Sequence, residues 1–215
     1  MTILLEKKGI QYEFLTKSFA EEAAAIVTDT FLNYEPVISS LGVNREDYLS
    51  CAKVYSASAA EKGLSLVARD RNSGEIAGFI ICEDLVTEWN QDEDAKLISL
   101  IAPALALVHD LEQKFLLEKN FEKGQCLHIF QVGVLPGFQG KSIATTLIQE
   151  TVEVAREKGY CYAAADCTGP VSQRCHQKCG FTQQDSIGFG SFDFEGNSVF
   201  SKLEGECALM VKKLK

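Results

Sequence analysis

The chain has 215 residues, of which 46% are hydrophobic, enough to bury a full core in one domain or in two small ones at most. We expect a single domain spanning residues 1–215. The formal net charge of -9, from 21 Lys and Arg against 30 Asp and Glu, argues against nucleic acid or an anionic membrane as the main partner. This surface suits a cationic small-molecule substrate, although the same charge also simply keeps soluble proteins apart. The oligomeric state is not readable from the sequence, and a homodimer stays open.

Eight cysteines lie mostly inside apolar runs, and no secretory signal precedes them, so we expect reduced thiols in a cytoplasmic protein. No CxxC occurs, and Cys175, His176 and Cys179 have no second ligand pair nearby, so the spacing predicts no metal site. The longest apolar stretch, Leu97 to Val108, has only 12 residues, which is too short for a membrane span. It predicts a core helix broken or kinked at Pro103.

The N-terminal part begins with a predicted strand over Ile10 to Leu15. Ser18 and Glu21 have the spacing of a capping box and predict the start of a first helix, which Pro36 ends. Its predicted buried stripe is Phe19, Ala23, Val27 and Phe31.

Asn44 predicts the cap of a second helix. The predicted buried face of that helix is Tyr48, Cys51, Ala52 and Tyr55. Two β-rich runs follow, Leu64 to Asp70 and Glu75 to Leu85, and Asn72 to Gly74 between them predicts an antiparallel hairpin. Residues 83–122 carry no strand signal and predict a helical insertion.

The C-terminal part starts with a strongly β-forming run, Cys126 to Val134, then a turn and an amphipathic helix from Ile143 to Gly159. The remaining predicted elements are a strand over Tyr160 to Cys167, a short helix over Ser172 to Gly180, and strands over Ile187 to Phe194 and Glu206 to Leu214. This order indicates one mixed sheet of the α/β or α+β class.

The turn after the run Cys126 to Val134 carries the clearest functional signal. A strand that stops at Val134, turns over Pro136 and Gly140 and starts a helix near Ser142 leaves several N–H groups pointing into one concavity. Such a concavity holds phosphate oxygens. An ordinary strand-to-helix loop is the alternative, and the motif is neither a P-loop nor a dinucleotide fingerprint.

This turn resembles the signature of the GNAT N-acetyltransferase superfamily, which is V-x-P followed by [QR]-x-x-G-x-[GA] at the start of a helix. The matching residues are Val134, Leu135, Pro136, Gln139, Gly140, Lys141, Ser142, Ile143 and Ala144. In that family the loop amides bind the pyrophosphate of acetyl-CoA and the preceding strand pairs with the pantetheine arm. The resemblance therefore implies pyrophosphate binding by Gln139 to Ala144 and pantetheine binding by Val132 and Val134. One departure is that Ser142 replaces the usual second glycine; a serine can cap the helix, but its Cβ narrows the room for a phosphate.

Two further matches extend the resemblance from Leu64 to Phe181. The run EIAGFI resembles the family's hairpin, and GPVSQRCHQKCGF resembles N-x-x-A-x-x-L-Y-x-K-x-G-F, with His176 at the tyrosine position and Ser172 at the small residue. The resemblance implies a mostly antiparallel central sheet flanked by helices.

Acetyl transfer needs a neutral amine, a donor for the oxyanion and a proton for the leaving thiolate. The family places a backbone amide near Val134 on the thioester carbonyl. The tyrosine that commonly protonates the thiolate is replaced by His176, which is either the acid or a surface histidine without a role.

The segment FLNYEPVISSLG resembles F-x-x-x-E-P-[LM] of the insect arylalkylamine N-acetyltransferase-like branch, in which the glutamate faces the acceptor amine. The resemblance implies Glu35 as the base, against the alternative of a solvated acid at a helix end. Ser172 matches a serine of that branch near the cofactor thiol, or is a helix N-cap. His128 either lines the acceptor pocket or is a buried core histidine.

The resemblance implies an acetyl-CoA-dependent N-acetyltransferase that acts on a small primary amine, an arylalkylamine or a polyamine, without a metal. Two alternatives remain at this point: a protein or peptide N-acetyltransferase, and a non-catalytic acyl-CoA-binding sensor.

Overall fold

The computed structural model describes residues 3–86 and 91–215, with the side chains of 91–94 and 97 excluded. The strands are β1 (Ile3–Lys7), β2 (Ile10–Phe14), β3 (Leu66–Asp70), β4 (Ile76–Asp84), β5 (Cys126–Val134), β6 (Tyr162–Cys167), β7 (Thr182–Gly188) and β8 (Glu206–Lys213). The helices are α1 (Lys17–Tyr34), α2 (Pro36–Ser40), α3 (Arg45–Lys62), α4 (Gln91–Leu100), α5 (Ala102–Lys119), α6 (Ile143–Glu157) and α7 (Pro170–Lys178). No helix in these ranges is long and apolar enough to cross a membrane.

All eight described strands form one sheet in the order β1-β2-β3-β4-β5-β6-β8-β7. Every neighbouring pair is antiparallel except β5 and β6, which are parallel. The helix α6 makes the crossover that a parallel pair requires. The expected mixed, mostly antiparallel sheet flanked by helices is therefore confirmed.

The sheet has a hydrophobic core on each face, because β4 is apolar on both sides. Phe79 and Ile81 face the core formed with α1, α3 and α5. Ile80 and Cys82 face the core formed with α6 and the end of α7. This alternation explains why IAGFIIC reads as a continuous apolar run rather than as an amphipathic strand.

The insertion between β4 and β5 is helical where it is described. It consists of α4 and α5, which break at Ile101, and Pro103 lies in the first turn of α5, where a missing N–H costs nothing. Glu83 and Asp84 belong to β4, so the insertion begins later than predicted, and residues 87–90 lie outside the described ranges.

Several local predictions are confirmed by the structure. The side chain of Asn44 accepts from the N–H groups of Glu46 and Asp47 and caps α3. The strand from Cys126 to Val134 has the predicted bounds, and Gly159 follows α6 at a φ of 98°.

Other local predictions are wrong. The cap of α1 is Thr16 rather than Ser18, and it makes no side-chain capping bond with a described group. The strand predicted over Ile187 to Phe194 is instead β7, which ends at Gly188, because Phe189 and Phe192 leave the sheet and pack in the core from a loop. The short elements β1 and α2 were not predicted.

Candidate functional site

A cleft opens where β5 and β6 diverge. The two strands pair over only three positions, Cys126 with Tyr162, Leu127 with Ala163, and His128 with Ala164. Beyond these pairs β5 continues along β4 and β6 continues along β8, so the facing edges of β5 and β6 separate.

A β-bulge explains the divergence. The register between β4 and β5 shifts between the pairs Ile81 with Gln131 and Cys82 with Ile129, which leaves Phe130 as the extra residue on β5. A bulge bends the strand that carries it and increases its local twist. Because Phe130 comes two residues after the last parallel pair, β5 bends away from β6 at this point.

The cleft belongs to a cavity of about 1190 Å³. Its lining includes these residues that the sequence singled out: Glu35, His128, Val132, Val134, Gln139, Gly140, Ser142, Ile143, Ala144, Ser172 and His176. Lys141 is absent from this lining, and its Nζ lies 4.7 Å from the centre of the ring of Phe138, which belongs to it. The structure therefore brings ten of the eleven predicted site residues, together with His128, to one cavity.

The turn from β5 to α6 exposes backbone donors. Pro136–Phe138 form one turn of 3-10 helix, Gly140 has a φ of 78°, and Ser142 is the N-terminal flanking residue of α6. The side chain of Ser142 makes no capping hydrogen bond with a described residue, so it does not occupy the first backbone N–H groups of α6. A Cβ built on Gly140 meets no described atom within 4 Å, so the turn stays open on that side.

Ser142 has a φ of 64°, in the left-handed region that glycine adopts without a steric penalty. The expectation that this serine can cap α6 with its side chain is wrong. The residue stands in a glycine conformation that costs a non-glycine residue about 1–2 kcal/mol.

Glu35 lies between α1 and α2 and is partly buried at the cavity wall. Its carboxylate accepts hydrogen bonds from the N–H of Val37 at 3.1 Å, the N–H of Ile38 at 2.5 Å and the hydroxyl of Thr168 at 2.5 Å. Burial raises the pKa of Glu35, and the hydrogen bonds from Thr168, Ile38 and Val37 offset only part of that rise. Glu35 is therefore a carboxyl group fixed by three hydrogen bonds at the wall of a cavity. It is not a solvated acid at a helix end, which was the alternative prediction.

His176 is only 1% exposed, which excludes the reading as a surface histidine. Its Nδ1 lies 3.0 Å from the carbonyl oxygen of Ser172, which can only accept, so Nδ1 carries the proton. Its Nε2 finds no hydrogen-bond partner among the described groups. Burial lowers the pKa of His176 to about 4, so the ring is neutral at pH 7. A neutral imidazole with such a pKa does not protonate a thiolate, and the role of general acid that the sequence suggested for His176 is therefore in conflict with its burial.

Ser172 is the third residue of α7, because the helix begins at Pro170 after the flanking Gly169. The alternative of Ser172 as helix N-cap is therefore wrong. The thiol of Cys167 lies 3.2 Å from Nδ1 of His176. Burial raises the pKa of that thiol, and the nearby Ser172 hydroxyl offsets part of the rise. Ser172 remains a cavity residue.

Sequence reasoning missed several polar residues of the cavity. Thr168 is bound to Glu35 across 133 residues of sequence, and Gln131 donates from Nε2 to the hydroxyl of Tyr48 at 3.1 Å. Glu112 comes from the insertion helix α5 and meets His128 at the base of the cavity. The only signal for Thr168 was its position just after β6, two residues from Asp166 and therefore on the same face of the extended chain. No sequence signal pointed to Gln131 or Glu112.

A sequence model of the acetyltransferase (GNAT) family matches residues 40–181, about two thirds of the chain. The structure is similar to the C-terminal condensation domain of Ebony in complex with β-alanyl-dopamine, with a TM-score of 0.82, 21% identity, and coverage of 95% of this chain and 98% of that chain.

Two further solved structures share the fold. One is arylalkylamine N-acetyltransferase 2 from Aedes aegypti, with a TM-score of 0.78, 19% identity, and coverage of 97% of this chain and 100% of that chain. The other is a putative acetyltransferase from Salmonella typhimurium with its cofactor acetyl-CoA, with a TM-score of 0.59, 16% identity, and coverage of 96% and 94%. At these identities the likeness is one of fold.

The buried state of His176 predicts a pH-dependent stability. The pKa of His176 is lowered to about 4 in the folded protein from the usual 6.5, so between these pH values the unfolded chain binds the proton and the folded protein does not. The contribution of His176 to the free energy of unfolding is therefore fully present above pH 6.5 and is lost as the pH drops toward 4. We expect this loss to be about 3 kcal/mol in the native protein and to disappear in His176→Gln. Urea unfolding between these pH values measures it, with His109→Gln, an exposed histidine, as the control. Equal pH slopes in the native protein and His176→Gln would contradict this placement of His176.

The left-handed Ser142 predicts a stabilising substitution. Ser142→Gly should raise the free energy of unfolding by up to about 1 kcal/mol, since relief of backbone strain is partly offset by the greater freedom of glycine in the unfolded chain. Ser142→Ala keeps the Cβ and removes only the hydroxyl, so it should give no gain. Chemical denaturation of both variants checks this, and equal stabilities would show that the backbone is not strained there.

Proposed function

This chain belongs to the acetyltransferase (GNAT) family, and from that premise we propose that it transfers an acetyl group from acetyl-CoA to a small primary amine. The observation that carries the proposal is the cleft between β5 and β6, which runs from the open turn at Gly140 to the carboxyl group of Glu35 within one cavity. The whole chain, residues 1–215, acts as a single domain, and its eight cysteines, six of them buried, support a reducing, cytoplasmic setting.

Acetyl-CoA binding is supported by two features of the cleft. The turn from Gln139 to Ala144 presents backbone donors at the positive end of the α6 dipole, which suits the pyrophosphate. The free edge of β5 at Val132 and Val134 suits the amide groups of the pantetheine arm, because an extended ligand can add to a strand edge. Lys141 lies outside the cavity lining and is proposed only for long-range attraction of phosphate.

Glu35 is the proposed base. The incoming amine is an ammonium ion in water and must lose a proton before its nitrogen attacks the thioester carbon. The raised pKa of Glu35 makes it a better proton acceptor than a solvated carboxylate, and Thr168 fixes the direction of its oxygens. The C–N bond then forms, the C–S bond breaks, and the sulfur leaves as a thiolate. The second proton that the nitrogen loses on becoming an amide passes to solvent, which in turn protonates the thiolate.

Ser172 is the proposed donor to the departing sulfur. Because the His176 ring is neutral and its Nδ1 proton is bound to the Ser172 carbonyl, it has no proton to give at neutral pH. Ser172 lies in the cavity lining, and its hydroxyl lowers the pKa of the nearby Cys167 thiol, which is the effect expected of a donor to sulfur. A hydrogen bond from this hydroxyl would stabilise the thiolate until solvent protonates it. His176 then positions α7 through its buried ring.

The acceptor is proposed to be a small amine with an apolar body. Phe31, Ile101, Val108 and Phe130 line the cavity together with Glu35, which combines an apolar wall with a carboxylate. The neighbouring structures named above include one with β-alanyl-dopamine and one arylalkylamine N-acetyltransferase, which supports an arylalkylamine, with a polyamine as the other class.

A non-catalytic acyl-CoA sensor is the second candidate. It is favoured by the neutral, buried His176 at the position where the family has a tyrosine. Such a module would bind acetyl-CoA at the same turn and release no acetylated amine.

Mass spectrometry separates these functions. We expect the protein, incubated with acetyl-CoA and a panel of aryl-alkyl amines, polyamines and short peptides, to yield an acetylated small amine. A thiol dye is unsuitable, because eight cysteines compete with the released CoA. Acetyl-CoA binding without any product would support the sensor, a peptide product would move the acceptor class to proteins, and no acetyl-CoA binding would overturn the proposal.

Substitution of the proposed base tests the mechanism. Glu35→Gln should lower kcat/KM about 10²- to 10⁴-fold while leaving acetyl-CoA affinity unchanged, because a neutral amide cannot accept the ammonium proton. In the native enzyme kcat/KM should fall as the pH drops through the raised pKa of Glu35, and the variant should lack this acidic limb. The exposed Glu21→Gln on the same stretch of chain is the matched control. Unaltered turnover in Glu35→Gln would remove Glu35 from the chemistry.

A further inference from the structure

Four ionisable side chains from four different elements meet at the base of the cavity: Glu83 of β4, Glu112 of α5, His128 of β5 and Asp166 of β6. His128 Nε2 lies 2.9 Å from Asp166 Oδ2 and 3.7 Å from Glu112 Oε1, and its Nδ1 lies 3.7 Å from Glu83 Oε1. We call these four residues the acidic floor. All four line the cavity that contains Glu35.

The acidic floor has unused acceptors. Glu112 is only 8% exposed, yet its Oε1 has no hydrogen-bond partner in the part of the chain that the structure describes, and the 3.7 Å contact with His128 is too long for a hydrogen bond. Asp166 Oδ1 is likewise buried and without a described partner. A buried carboxylate oxygen that lacks a donor is costly, and within the described residues the remaining donor is a proton shared between the Glu112 and Asp166 carboxyl groups. A ligand that donates to both groups would take the place of that proton.

The charges of the acidic floor do not cancel. Three carboxylates face one imidazole, so the cluster stays anionic even when both His128 and Glu112 carry a proton. Burial alone would lower the pKa of His128, but the hydrogen bond to Asp166 and the nearby carboxylates of Glu83 and Glu112 raise it, so the imidazole is charged. Burial and the charge of Asp166 raise the pKa of Glu112, the response of a carboxyl group that lacks a sufficient cation.

The position of the acidic floor relative to Glu35 suggests the length of its ligand. Asp166 and Thr168 are two residues apart at the end of β6, a step of about 7 Å in an extended chain, and Thr168 holds Glu35. Both groups open on one cavity with apolar walls. A linear molecule with a donor at each end and an apolar middle matches this arrangement.

We propose that the acidic floor binds the second cationic group, an ammonium or a guanidinium, of a diamine-type acceptor whose first amine lies at Glu35. The proposal rests on the amine acetyltransferase function above and narrows its substrate class. It also assigns a role to the insertion, since α5 supplies Glu112 to the cavity.

A divalent metal ion fits these residues less well, although Glu112, His128 and Asp166 have ligand atoms within 4.8 Å of one another. A metal ion binds the lone pair of a neutral imidazole. Both ring nitrogens of His128 instead face carboxylates, an arrangement that favours a protonated ring with an N–H directed at each carboxylate. The apolar walls of the cavity also suit an organic cation and not a hydrated ion.

The test compares linear diamines with monoamines of the same chain length as acceptors. The native enzyme should favour the diamine at one chain length by about tenfold or more in kcat/KM, because the monoamine leaves the buried carboxylates unpaired. Glu112→Gln and Asp166→Asn, which keep the side-chain shape, should each lower this diamine-to-monoamine ratio about tenfold. Glu118→Gln, an exposed glutamate on the same helix, should keep it. Thermal melts show whether each variant is folded. One folded variant, Glu112→Gln or Asp166→Asn, is enough to test the diamine-to-monoamine ratio.

Binding without turnover separates this proposal from the proposed function. Calorimetry of the preferred diamine with the native protein and CoA should show binding that weakens about tenfold in Glu112→Gln, whether or not acetyl transfer occurs. Acetylation of monoamines and diamines at equal kcat/KM would overturn the acidic floor as a subsite and leave the acetyltransferase standing. Diamine binding without any acetylated product would support the subsite while the transferase fails. Stabilisation by Zn²⁺ that EDTA reverses and His128→Gln abolishes would overturn the proposal in favour of a metal site.

Discussion

The site depends on the bulge at Phe130, which parts two parallel strands in the middle of a continuous sheet. Without the extra residue, β5 and β6 would keep pairing toward Val134, and their edges would satisfy each other. With it, each strand remains anchored on its outer side, β5 on β4 and β6 on β8, while the inner edges separate. Each wall of the cleft is therefore held by a paired neighbouring strand, which favours one geometry for a flexible thioester chain.

Glu35 connects the two sides of this cleft. Its carboxylate caps α2 on one side and receives the hydroxyl of Thr168 from the end of β6 on the other. These hydrogen bonds fix the direction of the carboxylate but lower its pKa by less than burial raises it. Glu35 therefore combines a defined geometry with a raised pKa. Two residues before Thr168, Asp166 of β6 belongs to the acidic floor. The same end of β6 therefore positions both the proposed base and the proposed subsite for a second cation.

The parts of the structure that local sequence signals determine were predictable. The run from Cys126 to Val134, the proline and glycine turn and the amphipathic α6 follow from propensity and periodicity. The strand has its predicted bounds, and α6 begins at the predicted residue and ends at Glu157, two residues before Gly159. The strand prediction over Ile187 to Phe194 was wrong beyond Gly188, because the phenylalanines that follow pack in the core from a loop and not from a hydrogen-bonded strand.

Contacts between residues far apart in sequence were not predictable. The bond between Thr168 and Glu35, the burial of His176 and the meeting of Glu112 with His128 all depend on how α2, α5 and α7 pack on the sheet. The positive φ of Ser142 is an intermediate case, since the resemblance marked the position as a glycine site but not its conformation.

Hydrogen exchange with and without acetyl-CoA tests the central claim most directly, because it observes the cleft without requiring an acceptor. The account predicts that acetyl-CoA slows exchange at the amides of Gln139 to Ala144 and along β5 at Val132 and Val134, while the hairpin turn at Asn72 to Gly74 is unaffected. Binding that leaves the turn and β5 unprotected, or protects a different surface, would contradict the assignment of this cleft to the cofactor.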